Sequence, residues 1–186
     1  MAARVERPRR RFTIEEYERM VETGILKQDD RVELIEGEIV EMSPIGDPHA
    51  ALVTNLTHVF VRLAGDRARV RVQGPIRVPP RSLPQPDLAL LRARSYRRAG
   101  ATTHDVLLVI EVADTSLEYD RTVKLALYAL AGIGEYWVVD ANSDTVHVYR
   151  SPSGPRYREH RQAVAGDAVA TLAFPDDPID VAAIFV

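Results

Sequence analysis

A chain of 186 residues, 46% hydrophobic and 27% charged, is long enough to bury one substantial core and short enough to be a single domain, residues 1–186. It has no cysteine, which excludes disulfides, thiolate metal sites and thiol nucleophiles and leaves carboxylates, histidines, hydroxyls and lysines to carry any chemistry. A net charge of −3 gives no global attraction to polyanions; with neither a signal-peptide core nor a membrane-length apolar run, a cytoplasmic protein without membrane association is expected.

In chain order, residues 1–11, with Arg4, Arg7, Arg9, Arg10 and Arg11, are expected to form a basic flexible arm. Thr13-Ile14-Glu15-Glu16 has capping-box spacing and predicts a short helix through Glu22, closed by Gly24. Residues 32–42 read as a hairpin turning at Glu36-Gly37, and a two-residue turn sets Ile35 opposite Glu38 and Glu33 opposite Val40. Glu33 and Glu38 then share a face and can look into one site. Asp47-Pro48 reads as an N-cap and first helical residue, opening a helix to Ala64 with a stripe of Val53, Leu56, Phe60 and Leu63 and with His49 in its first turn. A strand over 70–78 is broken by Pro79-Pro80, and Asp87 opens the next strand, 87–91. Residues 94–104 read as an exposed loop. The run 106–113 is apolar on both faces, so it is a buried strand, and Glu111 is its only charge. A helix over 117–131 and a strand over 135–139 follow, then short strands near 145–150, 156–161 and 168–172 that extend one edge. This order predicts an α/β (α+β) fold, a central mixed sheet flanked by helices.

An unpaired ionised carboxylate in the Glu111 strand costs several kcal/mol, so Glu111 must be protonated, ion-paired or bound to a cation. Of 24 basic residues only Lys27 and Lys124 are lysines, and an ammonium is a compact charge whose pKa burial can tune. Asp120, Lys124 and Tyr128 fall at i, i+4 and i+8 on one helix side, beside an apolar stripe of Val123, Leu127 and Leu130, with Arg121 flanking the polar face. Phosphodiester hydrolysis needs a cation to neutralise charge on the non-bridging oxygens, an activated water and help for the leaving alkoxide. Asp87 and Glu111 on neighbouring strands can hold Mg2+ or Mn2+, with the Val112 carbonyl as a further oxygen ligand, while Lys124 orients the attacking water or stabilises the transition state. Each residue also has a plain structural reading: Asp87 as a turn residue, Glu111 as an arginine partner, Glu33 and Glu38 as solvent-facing, His49 as helix-terminal packing. From Arg62 to Arg98 ten arginines face only Asp66 and Asp87, which is either a phosphate-contacting stretch or a solvated surface.

Five ordered segments bear on the choice: Val32-Glu33-Leu34-Ile35-Glu36-Gly37-Glu38, Pro86-Asp87-Leu88-Ala89, Ile110-Glu111-Val112, Tyr119-Asp120-Arg121 with Lys124-Leu125-Ala126-Leu127-Tyr128, and Gly134-Glu135-Tyr136-Trp137-Val138-Val139-Asp140. Together they resemble the Uma-type endonucleases of the PD-(D/E)XK superfamily. The resemblance implies a restriction-endonuclease-like core, Asp87 and Glu111 as metal ligands, Glu38 as a further acidic member, DNA as the nucleic-acid partner, and a homodimer or higher homo-oligomer. The superfamily lysine two residues after the second acid is absent, replaced by Ala113; Lys124 matches members whose lysine has moved to the following helix. Two functions are therefore carried forward: a Mg2+-dependent endodeoxyribonuclease, and a non-catalytic nucleic-acid-binding or assembly module that retains the fold.

Overall fold

The computed structural model describes residues 9–27 and 29–186. Its elements are α1 (Ile14–Glu22), β1 (Val32–Ile35), β2 (Glu38–Glu41), α2 (Asp47–Ala64), β3 (Ala68–Val72), β4 (Ile76–Arg77), β5 (Leu88–Arg92), β6 (Ala101–Thr102) and β7 (Val106–Ala113). Next come α3 (Leu117–Tyr119), a π-helical turn (Asp120–Lys124) and α4 (Leu125–Leu130), followed by β8 (Glu135–Asp140), β9 (Thr145–Ser153), β10 (Arg156–Ala163), β11 (Ala168–Thr171) and β12 (Phe174–Asp180).

Alternation along β7 sets the layers. Leu108, Ile110 and Val112 pack with Leu56 and Phe60 of α2 and with Trp137 and Val139, whereas Val109 and Ala113 pack on the other side with Leu127, Tyr128, Tyr136 and Val138. Both faces are covered, as a strand apolar on each side requires. The main sheet has the order β10-β9-β8-β7-β5-β3, with β7 and β8 parallel, joined by the 117–130 helical crossover, and the other pairs antiparallel. The expected mixed sheet is present. Asp87 and Glu111 share parity with Ala89 and Val109, so both project on the face that α4 covers.

The capping box at Thr13 forms, and the hairpin has the expected register, Glu33 opposite Val40 and Ile35 opposite Glu38. Its turn places Glu36 and Gly37 at φ +49° and +84°, and a Cβ at Gly37 would stand 2.6 Å from the Arg11 Cβ, so glycine is required twice over. Residues 1–8 of the expected arm lie outside the described residues; Arg10 is ion-paired with Glu16, and Phe12 N–H bonds the Gly37 carbonyl.

Five expectations need correcting. The strand near 168–172 does not extend the main sheet, because β11 pairs with β12 in a separate two-stranded ribbon. The strand over 70–78 is two strands, because Gln73 turns to φ +47° and Pro75 has no N–H for the ladder, and β4 pairs instead with β6. The N-cap of α2 is Gly46, with Asp47 already helical. The 94–104 loop holds β6 and leads into a 3-10 turn, where the Asp105 side chain accepts from the Thr102 backbone and from Arg94. The π turn changes the phase of the 117–130 helix, leaving Val123 and Leu130 exposed rather than on the apolar stripe.

Candidate active site

The β5–β7 register, Leu88 opposite Ile110, puts Asp87 opposite Glu111 and Pro86 opposite Val112. Beyond the last paired rung the Asp87 side chain bonds the β7 backbone: its Oδ2 accepts from Val112 N at 2.9 Å, and Asp87 N donates to Glu111 Oε2 at 3.3 Å. The carbonyl of Ala113 accepts from Ala141 N at 2.9 Å on the β8 side. Carbonyl directions alternate along a strand, so the Val112 carbonyl points to the β5 side, where Pro86 offers no donor.

The crossover helix supplies the cation. Lys124 Nζ lies 3.1 Å from Glu111 Oε1 and 3.1 Å from Glu33 Oε1, and Tyr128 OH donates to Glu111 Oε1 at 2.8 Å. Asp120 lies in the same π turn as Lys124 and is held by Ser116 Oγ at 2.5 Å. His49, at the start of α2, brings Nε2 within 3.1 Å of Asp87 Oδ2; Gln73 Nε2 is 3.5 Å from Oδ1. Glu33, His49, Asp87, Glu111, Asp120 and Lys124 line a cleft of about 250 Å³ together with Arg31, Gln85, Asp114 and Tyr119.

Glu33, Asp87, Glu111 and Asp120 are all at most 8% exposed, and Lys124, at 5%, is the only lysine or arginine buried among the described residues. Burial and this surplus of acids together shift the titration of the group. Burial pushes the Glu111 carboxyl well above its ordinary range; Lys124 opposes the rise, while Asp120, Asp87 and Glu33 add to it. Burial also pushes Asp120 up to about 6 against the pull of Lys124. Burial disfavours the Lys124 ammonium, but the Glu111 and Glu33 carboxylates outweigh it and hold the amine above the usual lysine range. The hydrogen bond to Asp87 raises His49, and burial works against it.

A hard divalent cation fits this donor set, which is all oxygen, buried and short of positive charge. Asp87, Glu111 and the Val112 carbonyl would hold it. Among the described residues no three acidic or histidine side chains form a ready metal cluster, so waters would complete the coordination.

The chain matches the family model Uma2, described as "Putative restriction endonuclease", over residues 14–182. The chain belongs to the Uma2 family. Its fold is shared with the crystal structure of "a putative nuclease belonging to DUF820" from Anabaena variabilis, with a TM-score of 0.72, 18% sequence identity, and coverage of 94% of this chain and 97% of that one. No curated protein matches the chain. Family membership supports a nuclease.

Within this Uma2 chain, Asp87, Glu111, Val112, Lys124, Asp120, Tyr128 and His49 come together as the sequence leads one to expect. Glu38 does not: it shares a ribbon face with Glu33, but it sits one turn-ward step further out, half-buried and 3.6 Å from Arg11. Glu33 reaches Lys124 in its place. Arg121 points away from the cleft, donating from Nε to Tyr149 OH at 3.0 Å. Sequence reasoning missed Tyr119, Gln73, Gln85 and Arg31. Tyr119 lies within the Tyr119-Asp120-Arg121 segment, where the sequence assigns it no role. Its hydroxyl is buried without a partner among the described residues, and burial first, then Glu33, pushes it up to about 12, so it stays protonated. Its place in the Tyr119-Asp120 pair, at the junction of α3 with the π turn, was the signal available.

Proposed function

We propose that this protein is a metal-dependent endonuclease that hydrolyses DNA phosphodiester bonds, with Mg2+ or Mn2+ held by Asp87, Glu111 and the Val112 carbonyl. The observation that carries this reading is the convergence of two acids from adjacent strands and one lysine from the following helix on a single buried cleft. When bound, the ion supplies neutralising charge for the phosphate oxygens and acidifies a water. Lys124, kept cationic by two carboxylates, orients the attacking water and opposes charge developing in the transition state. Glu33 positions Lys124, and Tyr128 fixes the rotamer of Glu111. His49 and the Val112 N–H both hold Asp87 Oδ2, which leaves Oδ1 with only the long Gln73 contact.

Purified protein incubated with supercoiled and linear DNA is expected to nick or cut in Mg2+ or Mn2+ and to be inert in EDTA. Asp87→Ala or Glu111→Gln should lower the rate at least about a hundredfold. DNA and RNA left intact across both metals, or Asp87→Ala cutting at the wild-type rate, defeats the reading. A second reading, a nucleic-acid-binding module without turnover, draws on one observation: Lys124 is engaged by two carboxylates rather than directed at open space. Metal and DNA binding without cleavage selects it. Homo-oligomerisation is part of the proposal too, and sedimentation velocity showing only monomer would remove that part.

A further inference from the structure

The cleft explains the acids but leaves the arginine-rich 62–98 stretch without a role. β3 is the terminal strand of the main sheet, so its outer edge has no strand partner. Arg69 and Arg71 pair with Leu91 and Ala89, which places them on the face that carries Asp87, and Gln73 beyond them donates its backbone N–H to the Asp87 carbonyl at 3.0 Å. Arg71 and Arg69 thus stand one and two strand repeats from Gln73, on the order of 7 and 14 Å away.

Among the described residues, Arg67, Arg77 and Arg94 of this stretch are ion-paired, with Asp177, Glu18 and Asp105. Among the described residues, Arg69 and Arg71 have no carboxylate within ion-pairing distance. Arg71 is also held in place. Asp105 anchors Arg94, whose guanidinium lies 4.0 Å from the Tyr96 ring centroid; Arg71 lies 5.2 Å from the same ring and donates to the Pro75 carbonyl at 2.7 Å. The stem of Arg71 crosses Gly74, where an added Cβ would meet its Cδ at 2.7 Å. Uncompensated guanidiniums at strand spacing suit a chain of phosphates. An acidic protein surface suits them less, since Val72 is the one large aliphatic side chain exposed on β3 and no anchor cluster accompanies it.

We infer that the β3 edge, through Arg69 and Arg71, is a track for the nucleic-acid backbone running away from the cleft. The track rests on the nuclease reading for its ligand and adds where the polymer lies. It supplies the attraction that the net-negative cleft lacks, so its effect falls on binding and on KM rather than on kcat.

The test is anisotropy of a labelled duplex of about 30 base pairs with the full chain in Ca2+, across a salt series. The double variant Arg69→Ala/Arg71→Ala should weaken binding about tenfold and flatten the slope of log K against log salt by about 1.8, while Arg156→Ala/Arg158→Ala on the opposite edge changes neither. If the double variant misfolds, Arg69→Gln alone decides, with a slope loss of about 0.9 expected. A variant that matches wild type in affinity and slope while wild type still cuts DNA overturns the track and leaves the nuclease reading intact. Duplex binding that depends on Arg69 and Arg71, without cutting in Mg2+ or Mn2+, upholds the track and sinks the hydrolytic reading. No duplex binding at all overturns the track.

Discussion

Two buried glutamates show what separates a structural charge from a working one. Glu135 is fully buried, but its carboxylate receives Arg150, Trp137 Nε1 and the Leu172 N–H, so its charge is matched within the fold. Glu111 shares its single lysine with Glu33 and has Asp87 and Asp120 nearby. Removing the shared cation should therefore be costly: Lys124→Ala is expected to lose about 3–5 kcal/mol of stability at pH 7, read by chemical denaturation. The loss should shrink on acidification. A carboxyl whose folded pKa is raised contributes stability at low pH and loses it as pH rises through that pKa, so an unpaired Glu111 is best tolerated protonated. Asp120 obeys the same sign. Its pKa rises from 3.8 to about 6, so its ionisation costs the fold up to about 3 kcal/mol as pH rises across that window. Asp120→Asn should accordingly stabilise the metal-free protein at pH 7, with the difference from wild type vanishing below about pH 4. A variant no more stable than wild type at pH 7 contradicts this.

At the scale of elements, the π turn is the piece that brings chemistry to the sheet. Asp120 and Lys124 are its first and last residues, and both are buried where the neighbouring Val123 is exposed. A π turn amounts to one residue inserted into an α-helix. Deleting Thr122, whose side chain bonds only the Glu118 carbonyl, should restore α geometry, rotate Asp120 relative to Lys124 by about 100°, and abolish cleavage while circular dichroism stays unchanged. Full activity in the deletion variant would show that the turn does not set the site. The periodic, locally determined elements were legible in the sequence: the capped α1, the two-residue hairpin turn, the α2 stripe and the doubly apolar β7. What was not legible depended on the third dimension or on hydrogen bonding. An i, i+4 pattern is compatible with both α and π turns, so the exposure of Val123 and Leu130 could not be read. β12 was missed because Phe174-Pro175-Asp176-Asp177-Pro178 looks like a loop, although Phe174 and Ile179 pack into the core with α2.

For the whole molecule, the sheet acts as a partition. One face, packed on α2 and Trp137, has its buried charge, Glu135, matched within the fold; the other admits Asp87, Glu111, Lys124 and Asp120 at the rim of an apolar cluster that includes Tyr128 and Tyr136. The site was legible in part for this reason. Parity along β5 and β7 was enough to aim Asp87 and Glu111 at one face, but hairpin parity could not separate Glu33 from Glu38, because which end of the ribbon overhangs the cleft depends on how it docks. Among the described residues no helix is long and apolar enough to cross a membrane. The central claim is that Asp87 and Glu111 share a divalent ion, and anomalous diffraction from Mn2+-soaked crystals tests it most directly. The account predicts an anomalous peak about 2.1 Å from carboxylate oxygens of both residues. A peak elsewhere, or none in protein that cuts DNA with Mn2+, contradicts it.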